Sequence, residues 1–376
     1  MTSEDDDVIT TDVAKELMPA IGKGQVIPVI SNAFRLEQIF RDDEELSRMM
    51  AEVPQFYDEF RTYTQQLTKK WAASINYPMS DDHNLARVAQ YEYSQVEKGG
   101  SGLVSLGSFE DPREKYIQFL IARLLALAEK DERYESDEEY RNVVSAFKKP
   151  SRGKTRLFSE VASQLGYPRF DIIEDPLRLL ARLPVKIYIT TSYSNFLERA
   201  LEKEGKTPRT QVCFCPEDLI TDPDHLPDRE FRPTEKNPAV VHLFGLEDYI
   251  ETLVLSEDDY INFLMNAAEN YKSDDLFPSY LRGALPKSSL ALLGYHLREW
   301  DFRTLFRFIS RIRNIHDTDK PSIAIQFKPP MRRKEEEARS LKYLETYLNR
   351  GKFMVEWSSA EVFIHKLWAA WDAWNT

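Results

Sequence analysis

Short apolar runs alternate with longer amphipathic stretches through the second half of the chain, and one such run lies near the N-terminus. The runs are too short for helices and are rich in β-branched residues, which favours buried strands. The predicted strands are 26–30, 185–189, 211–215, 239–244, 289–293, 322–327 and 353–357. The helices predicted between the later strands are 194–206, 257–271, 302–315, 335–348 and 360–374.

Strands separated by helices indicate right-handed βαβ units. The pattern therefore predicts an α/β fold with a mostly parallel, Rossmann-like sheet flanked by helices. Pro28 lies in the first strand and has no N–H to donate, so we expect an edge or bulged position there.

Residues 35–170 carry apolar residues at helical spacing with little strand signal, which predicts a large helical lobe inserted after the first strand. The helices expected in it are 36–40, 56–71, 84–95 and 116–128, with a glycine-rich flexible loop at 99–107. A helix at 11–21 should precede the first strand. The acidic residues 1–10 are expected to be a disordered tail, which leaves 11–376 as the domain.

Charge and composition exclude several classes of protein. The chain has 376 residues and a net charge of −12, which argues against direct binding of nucleic acid. No apolar run is long enough to span a membrane, and the acidic N-terminus does not resemble an export signal. The cysteines, Cys213 and Cys215, lie in one predicted strand without a second pair at metal spacing, so no metal site is expected. A cytoplasmic, reducing location fits these features.

Ligands of open parallel sheets bind outside the carboxyl ends of the strands. The segments that follow predicted strands are therefore the candidate ligand-binding segments: 31–34, 190–194, 245–248 and 294–301. The Rossmann glycine motif, the P-loop, HExxH and GxSxG are all absent from the sequence.

Four segments, in order, resemble the SIR2-like family, the sirtuin fold used by bacterial defence proteins. They are GQVIPVISNAF at 24–34, IYITTSYSNFLERAL at 187–201, VVHLFGLEDYIETLVLSEDDYINFL at 240–264 and SLALLGYHLREWDFRTLFRFI at 289–309. They are similar to the family's Gly-Ala-Gly turn, its Thr-Thr-Asn-Tyr-Asp segment, its Leu-His-Gly strand end and its Gly-Tyr-Ser-Leu turn. The C-terminal strand and helix also resemble the family, so the likeness runs over roughly residues 13–375.

The resemblance implies NAD as the ligand and cleavage of its nicotinamide–ribose bond. It implies contacts to the nucleotide from residues that follow the strands: Ser31, Asn32, Ala33, Phe34, Thr190, Thr191, Tyr193, Gly245, Gly294, Tyr295 and His296. The candidate catalytic residues are Ser192, His242 and Asp301. The deacylating branch often carries a four-cysteine zinc module, for which this chain has too few cysteines.

Several family positions are altered. Ser31, Asn32 and Ala33 replace Gly-Ala-Gly, Ser192 replaces the asparagine, and Phe244, which transfers no proton, replaces the histidine. His242 lies on the same strand face, roughly 7 Å deeper, as either a relocated base or a core histidine. His296 is a second candidate base. Asp301 either contacts the nucleotide or only caps the helix that follows it.

Two hypotheses of function follow from these residues. The first is an NAD hydrolase within a bacterial antiphage immune complex. The second is a catalytically degenerate scaffold or sensor subunit that keeps the fold and a nucleotide such as NAD or ADP-ribose. A homo-oligomer or a separate partner chain is expected in either case, and the family analogy suggests a ring-forming ATPase as that partner.

Overall fold

The computed structural model describes residues 17–40, 63–98, 111–149, 156–167, 172–213, 230–269, 277–297, 299–315, 320, 322–326 and 334–375. The predicted tail at 1–10 and the predicted loop at 99–107 lie outside the described residues. Helix α1 occupies 17–22, and the predicted start of this helix at residue 11 also lies outside them.

A seven-stranded sheet, in which every paired strand runs parallel, forms the centre of the described chain. Its strands are β1 Val26–Ile30, β2 Ile187–Thr190, β3 Arg209–Val212, β4 Ala239–His242, β5 Ser289–Leu293, β6 Ser322–Gln326 and β7 Phe353–Trp357. Their order across the sheet is β3-β4-β2-β1-β5-β6-β7. The predicted α/β fold with a parallel, Rossmann-like sheet is confirmed.

Helices fill the described chain between β1 and β2. They are α2 Asn32–Phe40, α3 Tyr63–Ser74, α4 Leu85–Lys98, α5 Pro112–Ala128, α6 Glu132–Ser136, α7 Glu138–Lys148, α8 Phe158–Gln164 and α9 Pro176–Arg182. The later helices are α10 Phe196–Lys203, α11 Glu257–Glu269, α12 Ser279–Ala284, α13 Trp300–Ile315, α14 Lys334–Asn349 and α15 Ala360–Asn375. None of the helices in the described ranges is long and apolar enough to cross a membrane.

The central strands are buried at every position, because helices cover both faces of a parallel sheet. This explains why β1 and β5 are continuous apolar runs without alternation. β3 lies at the edge and begins and ends before its predicted bounds, although the N–H of Cys213 still donates to the His242 carbonyl. Cys215 lies outside the described residues.

The predicted edge position of Pro28 is wrong, because β1 is the central strand, between β2 and β5. The Ser31 N–H bonds to β5, whereas the Ile30 carbonyl accepts from Thr191 at the end of β2. Since residues of a parallel strand alternate between their two neighbours, Pro28 faces β2 with Ile30. Pairing with β2 begins only at Val29, so the missing N–H leaves no gap in an established ladder.

The chain leaves β1 toward one side of the sheet and returns on the other side at β5. Such a reversal opens a crevice outside the carboxyl ends of the central strands. The segments that follow β1, β2, β4 and β5 therefore meet at one edge of the sheet.

Candidate functional site

A cleft at this edge encloses about 580 Å³ of space, part of it open to solvent. The sheet side and its flanking helices contribute Asn32, Ala33, Leu36, Thr191, Tyr193, Phe244, Tyr260, Glu299, Trp300 and Asp301. The helical lobe contributes Thr64, Gln65, Thr68, His83, Asn84, Leu85, Ala86 and Tyr116. These described lining residues include two carboxylates and no lysine or arginine.

The turn from β1 into α2 is capped by its own serine. Ser31 Oγ accepts from the Phe34 N–H at 3.0 Å and donates to the Gly294 carbonyl at 2.5 Å. The Asn32 N–H donates to Thr191 Oγ1 at 3.2 Å. Of the first amides of α2, the Ala33 N–H is the one for which the described residues show no acceptor, and Ala33 lines the cleft. This helix N-terminus therefore offers a smaller anion site than a glycine turn would.

The segment after β2 orients polar groups toward α2. Thr191 Oγ1 lies 3.2 Å from the Tyr295 hydroxyl, and Asn32 Oδ1 accepts from the Tyr193 N–H at 3.4 Å. Thr190 Oγ1 donates to the Ile30 carbonyl and accepts from the Ser192 N–H. Thr191 and Tyr193 reach the cleft, whereas Thr190 serves only this backbone turn.

Ser192 and His242 form a separate buried cluster. His242 is fully buried, its Nδ1 lies 2.9 Å from the Ser192 carbonyl, and its Nε2 lies 2.8 Å from Glu198 Oε1. Burial lowers the pKa of His242, but the Glu198 carboxylate outweighs burial, so the pKa is raised. Neither Ser192 nor His242 lines the cleft. The geometry favours the core interpretation of His242 over the relocated base.

The end of β4 presents an aromatic surface where the family has its histidine. Phe244 packs edge-on against Tyr260 and Phe263, with ring centroids 5.3 and 5.1 Å apart. Gly245 has a φ of +86°, and a Cβ there would lie 2.2 Å from the Thr252 carbonyl oxygen. Gly245 therefore closes a turn behind the cleft, and Phe244 supplies an apolar wall.

The turn after β5 supports the cleft from outside its lining. Gly294, at a φ of +76°, lets this turn approach α2, since a Cβ would lie 2.6 Å from Phe34 Cβ. Tyr295 is buried and meets Thr191. His296 Nε2 lies 3.1 Å from Glu37 Oε1, and this carboxylate raises its pKa against the opposing effect of burial. Gly294, Tyr295 and His296 do not line the cleft.

Asp301, at the start of α13, is the candidate catalytic residue that does line the cleft. Burial first, and the neighbouring Glu299 second, raise the pKa of its carboxyl group to about 7. Its Oδ1 accepts from the Phe302 N–H at 2.5 Å, and Glu299 accepts from Gln65 Nε2 at 2.6 Å. A cleft carboxyl that changes charge near neutral pH is typical of a functional site.

Sequence reasoning missed the contribution of the helical lobe. Thr64, Gln65, His83 and Asn84 come from α3 and from the connection to α4, far from any strand end. The sequence carries no signal that places these residues in a site, because only the tertiary packing of the lobe brings them to the sheet.

Comparisons with known proteins agree with this architecture. Residues 186–349, from β2 to the end of α14, match the family described as SIR2-like domain. The NAD(+) hydrolase ThsA of Bacillus cereus (strain MSX-D12) is 25% identical over 159 residues, 42% of this chain and 29% of that protein. The NAD(+) hydrolase ThsA of Cytobacillus dafuensis is 27% identical over 143 residues, 38% of this chain and 24% of that protein.

The match thus spans less than a third of either relative's length. The segment that matches the family model begins at β2 and includes the residues Thr191, Phe244 and Asp301. Residues 186–349 of this chain thus match a SIR2-like domain, and they supply β2 to β6 of the parallel sheet, whose carboxyl edge borders the cleft.

Proposed function

We propose that the protein binds NAD in this cleft and hydrolyses it to nicotinamide and ADP-ribose as part of a bacterial antiphage response. The observation that carries the proposal is Asp301, a cleft carboxyl with a pKa of about 7 in a SIR2-like domain. The names of the two relatives, NAD(+) hydrolases, support the choice of substrate.

The lining residues fit the charges of NAD. The nicotinamide ring carries a positive charge, which suits Asp301 and Glu299. The diphosphate needs N–H donors rather than carboxylates, and the Ala33 amide at the start of α2 and the start of α4 at Leu85 and Ala86 are available to it. The hydroxyl of Thr191 and the amide of Asn32 suit ribose hydroxyls.

Hydrolysis forms a bond between a water oxygen and ribose C1′ and breaks the bond from C1′ to nicotinamide. The bonding electrons leave with nicotinamide, which becomes neutral, and the water gives up one proton. Positive charge moves onto the ribose as the bond breaks. An ionised Asp301 that is partly shielded from solvent stabilises that charge more strongly than a carboxylate in water would.

The test is release of free nicotinamide from NAD by the purified full chain, compared between wild type and Asp301→Asn. We expect the variant to lose ~100-fold or more in kcat, the usual cost of removing a charge that stabilises a transition state. Asp258→Asn is the matched control, since Asp258 is exposed on α11 and bonds to Gln90. Equal rates for wild type and Asp301→Asn would contradict the role of Asp301.

The second candidate function is a nucleotide-binding scaffold or sensor without turnover. Three observations favour it: Phe244 stands at the family's histidine position, Ser192 points away from the cleft, and Ser31 and Thr191 occupy amides of α2. Calorimetry with NAD and with ADP-ribose on the same preparation separates the two candidates. Binding without nicotinamide release supports the scaffold, and release that depends on Asp301 contradicts it.

Assembly is proposed on family analogy alone, as a homo-oligomer or a complex with a separate chain such as a ring-forming ATPase. Light scattering of the purified chain, alone and mixed with the products of neighbouring genes, tests this. A monomeric mass under both conditions would contradict it.

A further inference from the structure

The connection between α3 and α4 carries a histidine into the cleft. Its backbone is held by Asp81, whose carbonyl accepts from the Asn84 N–H at 2.9 Å. The Asp81 carboxylate accepts from the Tyr77 hydroxyl at 2.8 Å and from Arg87 at 2.6 Å. The next residues, His83 and Asn84, line the cleft directly before α4 begins. The position of His83 is therefore fixed by contacts that do not involve its own ring.

The His83 ring is partly exposed, with 38% of its side-chain surface accessible. Its Nδ1 is buried and makes no hydrogen bond to a described residue, and it lies 3.8 Å from Asp82 Oδ1. A carboxylate on this side favours the tautomer that carries the proton on Nδ1. That tautomer leaves a lone pair on Nε2, the arrangement that a general base needs.

The side chains of the other histidines in the described residues contact groups outside the cleft lining. His242 is enclosed between Ser192 and Glu198, and His296 lies against Glu37 outside the lining. His365 bonds to the carbonyls of Glu361 and Glu174 on α15 and the segment before α9. Among the described residues that line the cleft, His83 is the imidazole.

We infer that His83 is the general base of this cleft, supplied by the helical lobe in place of the imidazole that Phe244 excludes from the strand end. The inference rests on the proposed hydrolysis of NAD. As the water oxygen bonds to ribose C1′ and nicotinamide departs with the electron pair, the water's proton passes to His83 Nε2 and then to solvent. Asp301 has a separate role, which is to stabilise the positive charge on the ribose.

The experiment measures kcat for nicotinamide release and the Kd of ADP-ribose in wild type, His83→Gln and His83→Ala. We expect both variants to lose between ~100-fold and ~10,000-fold in kcat, the usual contribution of a general base, with the Kd changed less than about threefold. Added imidazole should restore part of the activity of His83→Ala but none to Asp301→Asn. His365→Gln is the matched control and should keep the wild-type kcat.

Three other outcomes would each contradict the role of His83 as the general base, for different reasons. If wild type releases nicotinamide and His83→Gln matches it, His83 is not the base, while the proposed function stands. If the His83 variants lose ADP-ribose binding together with activity, and imidazole restores neither, His83 is only structural. If wild type releases no nicotinamide, the proposed function fails, and the role of His83 fails with it.

Discussion

Asp301 illustrates how one half-buried carboxyl group links the cleft to the stability of the fold. Burial and the charge of Glu299 raise its pKa from 3.8 to about 7, so the folded chain binds a proton that the unfolded chain releases. The stability contributed by protonated Asp301 is therefore complete below pH 3.8 and is lost as the pH rises through about 7.

We predict that Asp301→Asn raises the free energy of unfolding at pH 8 by about 2–4 kcal/mol, because it removes a charge that the fold opposes. The gain should shrink toward zero near pH 4, where Asp301 is already protonated. Urea unfolding of wild type and variant from pH 4 to pH 8 measures this. A gain that does not change with pH would contradict the raised pKa.

The buried pair of His242 and Glu198 has a pH dependence of its own. The Glu198 carboxylate raises the pKa of His242 above 6.5 despite burial, so the contribution of the charged pair is complete below pH 6.5 and is lost as the pH rises through the higher, folded-state pKa.

Replacing Glu198 by Gln keeps most of the shape and removes the charge. We predict a loss of about 1–3 kcal/mol in the free energy of unfolding at pH 6, and a smaller loss at pH 9, because the contribution of the charged pair falls as the pH rises. Urea unfolding at the two pH values measures the difference. An equal loss at both would show that His242 does not gain a proton in the folded state.

At the scale of elements, the cleft depends on how closely the turn after β5 approaches the start of α2. Gly294 permits this through its positive φ and its missing Cβ, beside Phe34 and Ser31. The same contact lets Ser31 bond to the Gly294 carbonyl, so the two strand ends are joined at this point.

We predict that Gly294→Ala lowers the free energy of unfolding by about 2–4 kcal/mol, from the strained φ together with overpacking against Phe34. Gly205→Ala is the matched control, because Gly205 has a φ of +73° and nothing within 4 Å of the added Cβ. Its loss should be about 1–2 kcal/mol, from the backbone alone. Equal losses in chemical denaturation would contradict the close approach.

At the scale of the whole molecule, the helical lobe must be held against the sheet for His83 and Asp301 to line one cleft. Arg113 of α5 donates to the Leu253 carbonyl at 2.8 Å and to Asp259 at 2.7 Å, at the start of α11. Arg87 of α4 also reaches α11, through Glu257, but its side chain is 54% exposed against 16% for Arg113.

We predict that Arg113→Met costs about 3–5 kcal/mol in the free energy of unfolding, because it leaves Asp259 partly buried without its partner. Arg87→Met is the matched control and should change stability little, since water screens an exposed pair. Thermal and urea unfolding of both variants compare the two contacts. A larger loss for Arg87→Met would show that the outer contact, rather than the buried one, holds the lobe.

The sequence by itself determined the class of fold and the positions of most strands. The bounds of β1, β5 and β7 match the predicted ones, because a buried strand of a parallel sheet is a local apolar run. The likeness of the sequence to the SIR2-like family also predicted Asn32, Thr191 and Asp301 as site residues, and these three residues line the cleft. The order of the strands across the sheet is not encoded in any short segment of the sequence. The edge position predicted for Pro28 was wrong for this reason.

Only the tertiary structure decided which polar side chains meet. Ser192 follows β2 and His242 ends β4, yet both lie in a buried cluster with Glu198. Thr191, which also follows β2, and Asp301, at the start of α13, line the cleft instead. His83 had no local signal, because its place in the cleft comes from the packing of α3 and α4 against the sheet. Strand formation depends on a few neighbouring residues, whereas a site depends on segments that are distant in sequence and are brought together by packing.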